Sequence, residues 1–325
     1  MGASITRSVI APRTGAVYGR RMTVGPLLRE WRTRRRLSQL ELSTQLGVSA
    51  RHISFVETGR SGASRGLLLQ FAEHLDVPLR ARNELLLAAG YAPAFGEHRL
   101  GDGAMEPVRR AIDTVLTAHE PHPALSVDDC WNIVAANSGS TLLLEDVAPE
   151  LLTAPLNVLR LTLHPNGLAP RLSNLPQLRT SLLHKVDRQA TLSGDPRLAE
   201  LYTELVSYGE PPHAGERNGG DSNGETAYGG DAHNGRSSGG APATDDRVFL
   251  PVRLRVADLE LQLISTVTTF GTPLDTTVAG LSMESFFPAD ATTAEFLRRH
   301  SDTGATRLER LATEHPHLVQ YLAGS

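Results

Sequence analysis

The sequence predicts a mixed α+β chain: a five-helix bundle at the N-terminus, then a domain in which an antiparallel sheet carries flanking helices. Three observations predict it. Between Val24 and Ala89 apolar residues recur at helical spacing, in segments separated by Ser, Gly and Pro. Between Val248 and Phe286 the pattern becomes alternating, with Val248, Leu250, Val252, Leu254 and Val256 on one side of the first run. Charge divides at the same place: from Arg20 to Gly90 there are 12 Arg against 6 acids, although the whole chain of 325 residues is at −4.

Residues 1–22 contain Arg7, Arg13, Arg20 and Arg21 but no apolar core of signal-peptide length, and are expected to be a flexible basic arm. The bundle is expected over 23–92. Leu27, Leu28 and Trp31 place a helix over 24–36, and Ser38 caps a second that starts at Gln39. On that helix Leu42 and Leu46 face inward, and Ser43 is small enough for a close crossing. Gly47 relieves the following turn, Val48 plugs it from below, and Ser49 caps a third helix whose buried side is Ile53 and Val56. Two helices joined this way, within Gln39–Arg60, read as a helix-turn-helix. Thr58–Ser64 is a loop; Ser64 starts a fourth helix through Leu75, and Leu79–Ala89 makes a fifth.

Residues 93–107 carry Gly, Pro and charge without periodicity and are expected to link two domains. The second domain is expected over 108–300. It should begin with a helix, Val108–Ala118, and a hairpin of Ala124–Val127 with Trp131–Ala135. Asn137 then caps Ser138–Leu144, Leu151–Leu163 and Leu172–Leu183 are mostly helical, and Asp195 starts a helix to Ser207. Residues 209–246 are Gly-rich and hold one aromatic residue, Tyr228, too little apolar surface to offset ordering entropy, so a disordered insertion is expected. Strands follow at 248–256, Leu259–Phe270 and Thr276–Phe286, then a helix from Asp290 to Arg298; 301–325 is expected to be a tail.

Two stretches resemble known families. Gln39–Arg60 resembles the Xre-type helix-turn-helix, and RHISFVETGRS with VPLRARNELLLAAGYAPAF is similar to the MmyB-like transcription regulators, many of which carry Pro where Ala63 stands. The hairpin feeding a helix through Asn137 resembles the opening of a PAS domain, and LISTVTTFGTPLDTTVAGLSMESFFPADATT is similar to the C-terminal ligand-binding domain of the same regulators. The resemblance implies a PAS-like domain that encloses a small, apolar, fatty-acid-like ligand, a homodimer, and operator DNA as the partner.

The residues point to DNA independently. A local basic charge on the helix-turn-helix of an otherwise acidic chain is what phosphate neutralisation requires. With Ile53 and Val56 buried, Arg51, Ser54 and Phe55 lie opposite, and Ser49 and Ala50 stand at the helix start, where base edges are reached. Arg51 suits guanine. Phe55 either meets a thymine methyl or tucks under the loop at Gly59–Ser61; His52 meets phosphate or solvent. Gln39, Arg36 and Arg60 are the phosphate candidates. Glu57, acidic on a helix that should approach a polyanion, is expected to pair with Arg32.

Trp131, His164, Phe270 and Phe286 are the candidates for lining a ligand cavity; of the adjacent Phe286 and Phe287, one should point in and the other out. His164 also fits a loop residue bonded to backbone, and Asn137 a helix cap. The chain has no phosphate-binding Gly loop before a helix, no HExxH and no CxxC, and none of its 12 His pairs with another four residues on. No enzyme, cofactor or metal is therefore expected. Single Cys130 fits a reducing cytoplasm, and no run of 18 apolar residues exists to span a membrane. The competing expectation is a DNA-tethered protein-interaction module without a ligand.

Overall fold

A computed structural model describes residues 23–209, 250–302 and 313–321. The expected arm at 1–22, nearly all of the expected insertion and much of the tail lie outside the described residues. The chain divides into two compact units, residues 1–97 and 98–325.

The first unit contains α1 (Val24–Arg34), α2 (Gln39–Leu46), α3 (Ala50–Glu57), α4 (Arg65–His74) and α5 (Leu79–Ala88). Leu28, Trp31, Leu42, Ile53, Val56, Leu68, Phe71 and Leu85 fill its core. The three serine caps form as the spacing requires: Ser38 accepts from Glu41 N, within a reciprocal capping box, Ser49 from His52 N and Ser64 from Leu67 N. Gly47 ends α2 at φ 67°, the left-handed region that favours glycine. α1 stops two residues before the expected Arg36, because Arg36 stands at φ 56° and cannot extend the helix. Gly25 allows α1 to lie on the end of α3: a Cβ there would be 2.4 Å from the Glu57 carbonyl oxygen.

The expected linker is divided between the two units. In the first, Asn83 on α5 binds Ala94 and Phe95 through their backbone. In the second, Arg109 holds the Leu100 carbonyl, and a 3-10 turn at Gly103–Met105 buries Met105 before α6 (Glu106–Ala118).

The second unit is built on one antiparallel sheet. Its strands are β1 (Ala124–Val127), β2 (Ile133–Ala136), β3 (Val252–Val256), β4 (Leu259–Thr269) and β5 (Ser282–Pro288), in the order β2-β1-β5-β4-β3 among the described residues. α7 (Val158–Leu163), α8 (Leu175–Ser193) and α9 (Pro196–Ser207) contribute to the core on one face, with Leu125, Leu254, Leu261, Leu263 and Phe286 from the strands. On the other face Ile112 and Leu116 of α6 pack with Ala124 and Leu281.

Several local expectations are corrected. Trp131 does not begin β2: it sits at φ 66° in a turn whose Asp128 carboxylate accepts from Cys130 N and Asn132 N, so the strand starts at Ile133. Thr276 does not open a strand. Asp275 accepts from Thr277 N and caps a short helix, α10 (Thr276–Gly280), and β5 begins after it. The expected helix at 151–163 is interrupted between a 3-10 turn, Pro149–Leu152, and α7. α8 runs to Ser193, and the helix expected from Asp290 is α11 (Ala291–Asp302).

Candidate DNA interface and ligand cavity

On α3 the side chains separate into a buried row and an outward row. Ile53 and Val56 are 4% exposed, whereas Arg51 is exposed and Phe55 half-buried. The Arg51 guanidinium lies 5.2 Å from the centre of the Phe55 ring, and that of Arg60 lies 5.9 Å from it. The loop closes over this position: Arg60 N and Ser61 N donate to the Phe55 carbonyl at 2.8 and 3.1 Å. The Phe55 ring thus carries two arginines on one exposed face. Each such stacking is worth about 0.5–1 kcal/mol at an exposed site. Ala50 and Ser54 are half-buried beside it and Ser49 is exposed at the helix start, its hydroxyl already accepting from His52 N.

Beneath this face the basic side chains hold the scaffold. Arg32 donates through Nε and an Nη to the two oxygens of Glu57 at 2.7 and 2.9 Å, and Gln39 Nε2 donates to Oε2 at 2.8 Å. The Glu57 side chain is 2% exposed, so one carboxylate joins α1, α2 and α3 from inside. Gln39, a phosphate candidate, stands half-buried on the first turn of α2 with its amide nitrogen donating to Glu57. Arg35 caps the carbonyls of Leu75 and Asp76, and Arg34 and Arg35 lie 5.1 and 5.6 Å from the Trp31 ring. Arg36, like Arg60, is exposed.

The second unit encloses a cavity of about 80 Å³ between the sheet and its covering helices, room for several groups the size of a water molecule. Its walls are almost wholly hydrocarbon, including Leu125, Ile133, Leu159, Leu178, Leu254 and Phe286. Leu318 and Tyr321 from the 3-10 turn Pro316–Tyr321 also line it, so residues expected in a tail complete the wall.

Of the four candidates for a ligand wall, Phe286 is on it and the other three are placed elsewhere. Trp131 donates from Nε1 to Gln189 at 2.8 Å, with Lys185 Nζ 4.6 Å from its ring. His164 ends α7, accepts from Asn166 N at 3.0 Å and meets Tyr208 edge-on at 4.8 Å between centroids. Phe270 packs with the α6 face. Phe287 points away from the cavity, against His119 and His122. Asn137, 1% exposed, is a cap and crosslink: its Oδ1 accepts from Ala124 N and Ser140 N, and its Nδ2 donates to the Leu116 and His122 carbonyls.

Glu284, the acid among the described wall residues, was not a candidate in the sequence. Burial raises its carboxyl above the ordinary range, opposed by a hydrogen bond from Ser265 and by the charge of Lys185. The signal was present: in Ser282–Pro288, Glu284 is two residues from Phe286 and shares its face of the strand.

A basic helix-turn-helix face in one unit and an enclosed apolar cavity in the other define a DNA-binding protein with a ligand-binding domain. Residues 24–85 match the family model of a helix-turn-helix domain, and residues 108–224 match that of the MmyB-like transcription regulator ligand binding domain. The two matches place a helix-turn-helix domain before a domain similar to the ligand-binding domain of the MmyB-like transcription regulators. The second match ends before β3, so Glu284 and Phe286 lie beyond it. A search of the curated proteins found no match.

Proposed function

We propose that this regulator reads a palindromic operator as an Xre-type homodimer, through Arg51 and its neighbours on α3, and that a small apolar molecule in the cavity of its PAS-like second domain changes its affinity for DNA. The observation that carries the proposal is the presence, in one chain, of paired arginines over Phe55 and of a hydrocarbon-walled cavity. Two copies of α3 spaced about 34–36 Å apart would meet successive major grooves. A ligand alters DNA binding only by favouring one of two domain arrangements over the other. The hydrocarbon walls supply what the apolar part of a fatty-acid-like molecule needs. Cys130 as the single thiol and DNA as the target support a cytoplasmic site of action. Burial pushes the Cys130 thiol up to about 12, far from the range of a reactive thiolate, so no thiol chemistry is proposed for it.

Sequencing DNA fragments selected by the purified protein tests the first part: an inverted repeat is expected, and a lone half-site would overturn the homodimer. Native mass spectrometry tests the second. An apolar molecule retained through purification is expected; an empty domain that instead binds a partner protein would establish the interaction-module alternative.

A further inference from the structure

The hydrocarbon walls of the cavity define the body of a ligand, and one side chain defines its head group. Glu284 lies in the middle of β5, opposite Leu125 of β1 and Val267 of β4, on the strand face that also carries Phe286. Its Oε1 accepts from the Ser265 hydroxyl, and among the described residues no donor meets its other oxygen. The remaining polar groups of the wall are Ser140, Thr162 and Tyr321. The first two hydroxyls are already spent on backbone: Ser140 donates to the Ala124 carbonyl at 2.8 Å and Thr162 to that of Val158 at 2.7 Å. Among the described residues no arginine, lysine or histidine lines the cavity. Lys185, whose charge reaches Glu284, is exposed and stacked on Trp131 outside the wall.

A carboxylate head entering this space would find no cation among the described wall residues and would face another carboxyl in a medium that screens poorly. Two acids so placed cannot both ionise without cost. A hydroxyl or an amine would instead donate to the open oxygen, and a desolvated acceptor left unmet favours any ligand that satisfies it.

We propose that the cavity takes an apolar ligand whose single polar group is an uncharged or cationic hydrogen-bond donor, an alcohol or an amine, presented to the free oxygen of Glu284. This rests on the cavity being a ligand site, as proposed above, and replaces the acid head group of the fatty-acid-like expectation.

The test is titration calorimetry of the full chain near neutral pH with three probes that share one alkyl chain: n-octanol, n-octylamine and n-octanoate. Octanol and octylamine are expected to bind at least about tenfold more tightly than octanoate, the scale of a single like-charge or unmet hydrogen-bond penalty. Glu284→Gln keeps the side chain's size and removes its charge. It should strengthen octanoate, weaken octylamine by about tenfold and leave octanol within about threefold. Octanoate binding the unsubstituted protein as tightly as octanol would overturn the head-group assignment while leaving the cavity a ligand site, as would an unchanged ranking in Glu284→Gln. Binding of none of the three would overturn both proposals. The ranking in the unsubstituted protein decides the matter even if the variant folds poorly.

Discussion

At the scale of the residue, Glu57 shows how an acidic group belongs on a DNA-facing helix. Its carboxylate is turned inward and receives three hydrogen bonds from Arg32 and Gln39. Removing one member of a buried, hydrogen-bonded charge pair costs about 3–5 kcal/mol, mostly through the charge left behind. Glu57→Gln is therefore expected to lower the melting temperature of the protein markedly in a thermal scan. The bases selected from a DNA pool at low temperature should not change, and an altered preference at unchanged melting temperature would mean that Glu57 reads DNA. Phe55 makes the opposite case. Phe55→Ala removes the platform under Arg51 and Arg60, each stacking worth about 0.5–1 kcal/mol, and leaves Ile53 and Val56 in place. Operator affinity by gel shift should fall several-fold with little change in melting. Arg51→Ala should cost about 1–3 kcal/mol and relax the preference at one base position.

At the scale of the element, what the sequence disclosed depended on the distance over which the deciding contact acts. The serine caps were legible because each partner is three residues away, and the β4 alternation because a strand's faces repeat every second residue. Trp131 and Thr276 were misplaced because a single backbone angle and a single cap decided against strand. The commitment of Gln39 to Glu57 could not be read, since it joins residues that only the packing of α2 on α3 brings together. In the cavity, Phe286 was legible as a large apolar residue, and Glu284 was passed over although its strand position placed it on the same face. That position has a pH consequence of its own. A carboxyl raised by burial prefers its proton in the folded state, so its contribution favours folding below its unfolded value and is lost as pH rises through its folded value. Ser265 and Lys185 oppose the shift without cancelling it. Glu284→Gln should thus stabilise the second unit against urea at neutral and alkaline pH, with the gain shrinking toward pH 4. Glu204 runs the other way: the Arg160 guanidinium holds its carboxyl below the ordinary range, against partial burial, so the stability it adds is present at neutral pH and fades as acid protonates it.

At the scale of the whole molecule, the second unit is assembled from parts far apart in the sequence: β1 pairs with β5, and the wall contributed by α7 and α8 meets Leu254, Phe286 and Leu318 from the far side of residues 210–249. That Gly-rich stretch leaves from the end of α9 and returns before β3, so the sheet forms only when its two ends have closed a loop. Closure cost grows slowly with loop length, by about 0.6 kcal/mol per doubling, so shortening the loop changes the balance by little. Deleting residues 215–240 leaves about 14 residues to make the crossing, enough for a reach of roughly 45 Å when extended. The shortened protein is expected to melt within a few degrees of the full chain, to select the same operator and to keep its ranking of octyl probes. Loss of operator selection with the melt unchanged would show that the Gly-rich stretch acts in DNA binding, and loss of probe binding alone would place it at the cavity.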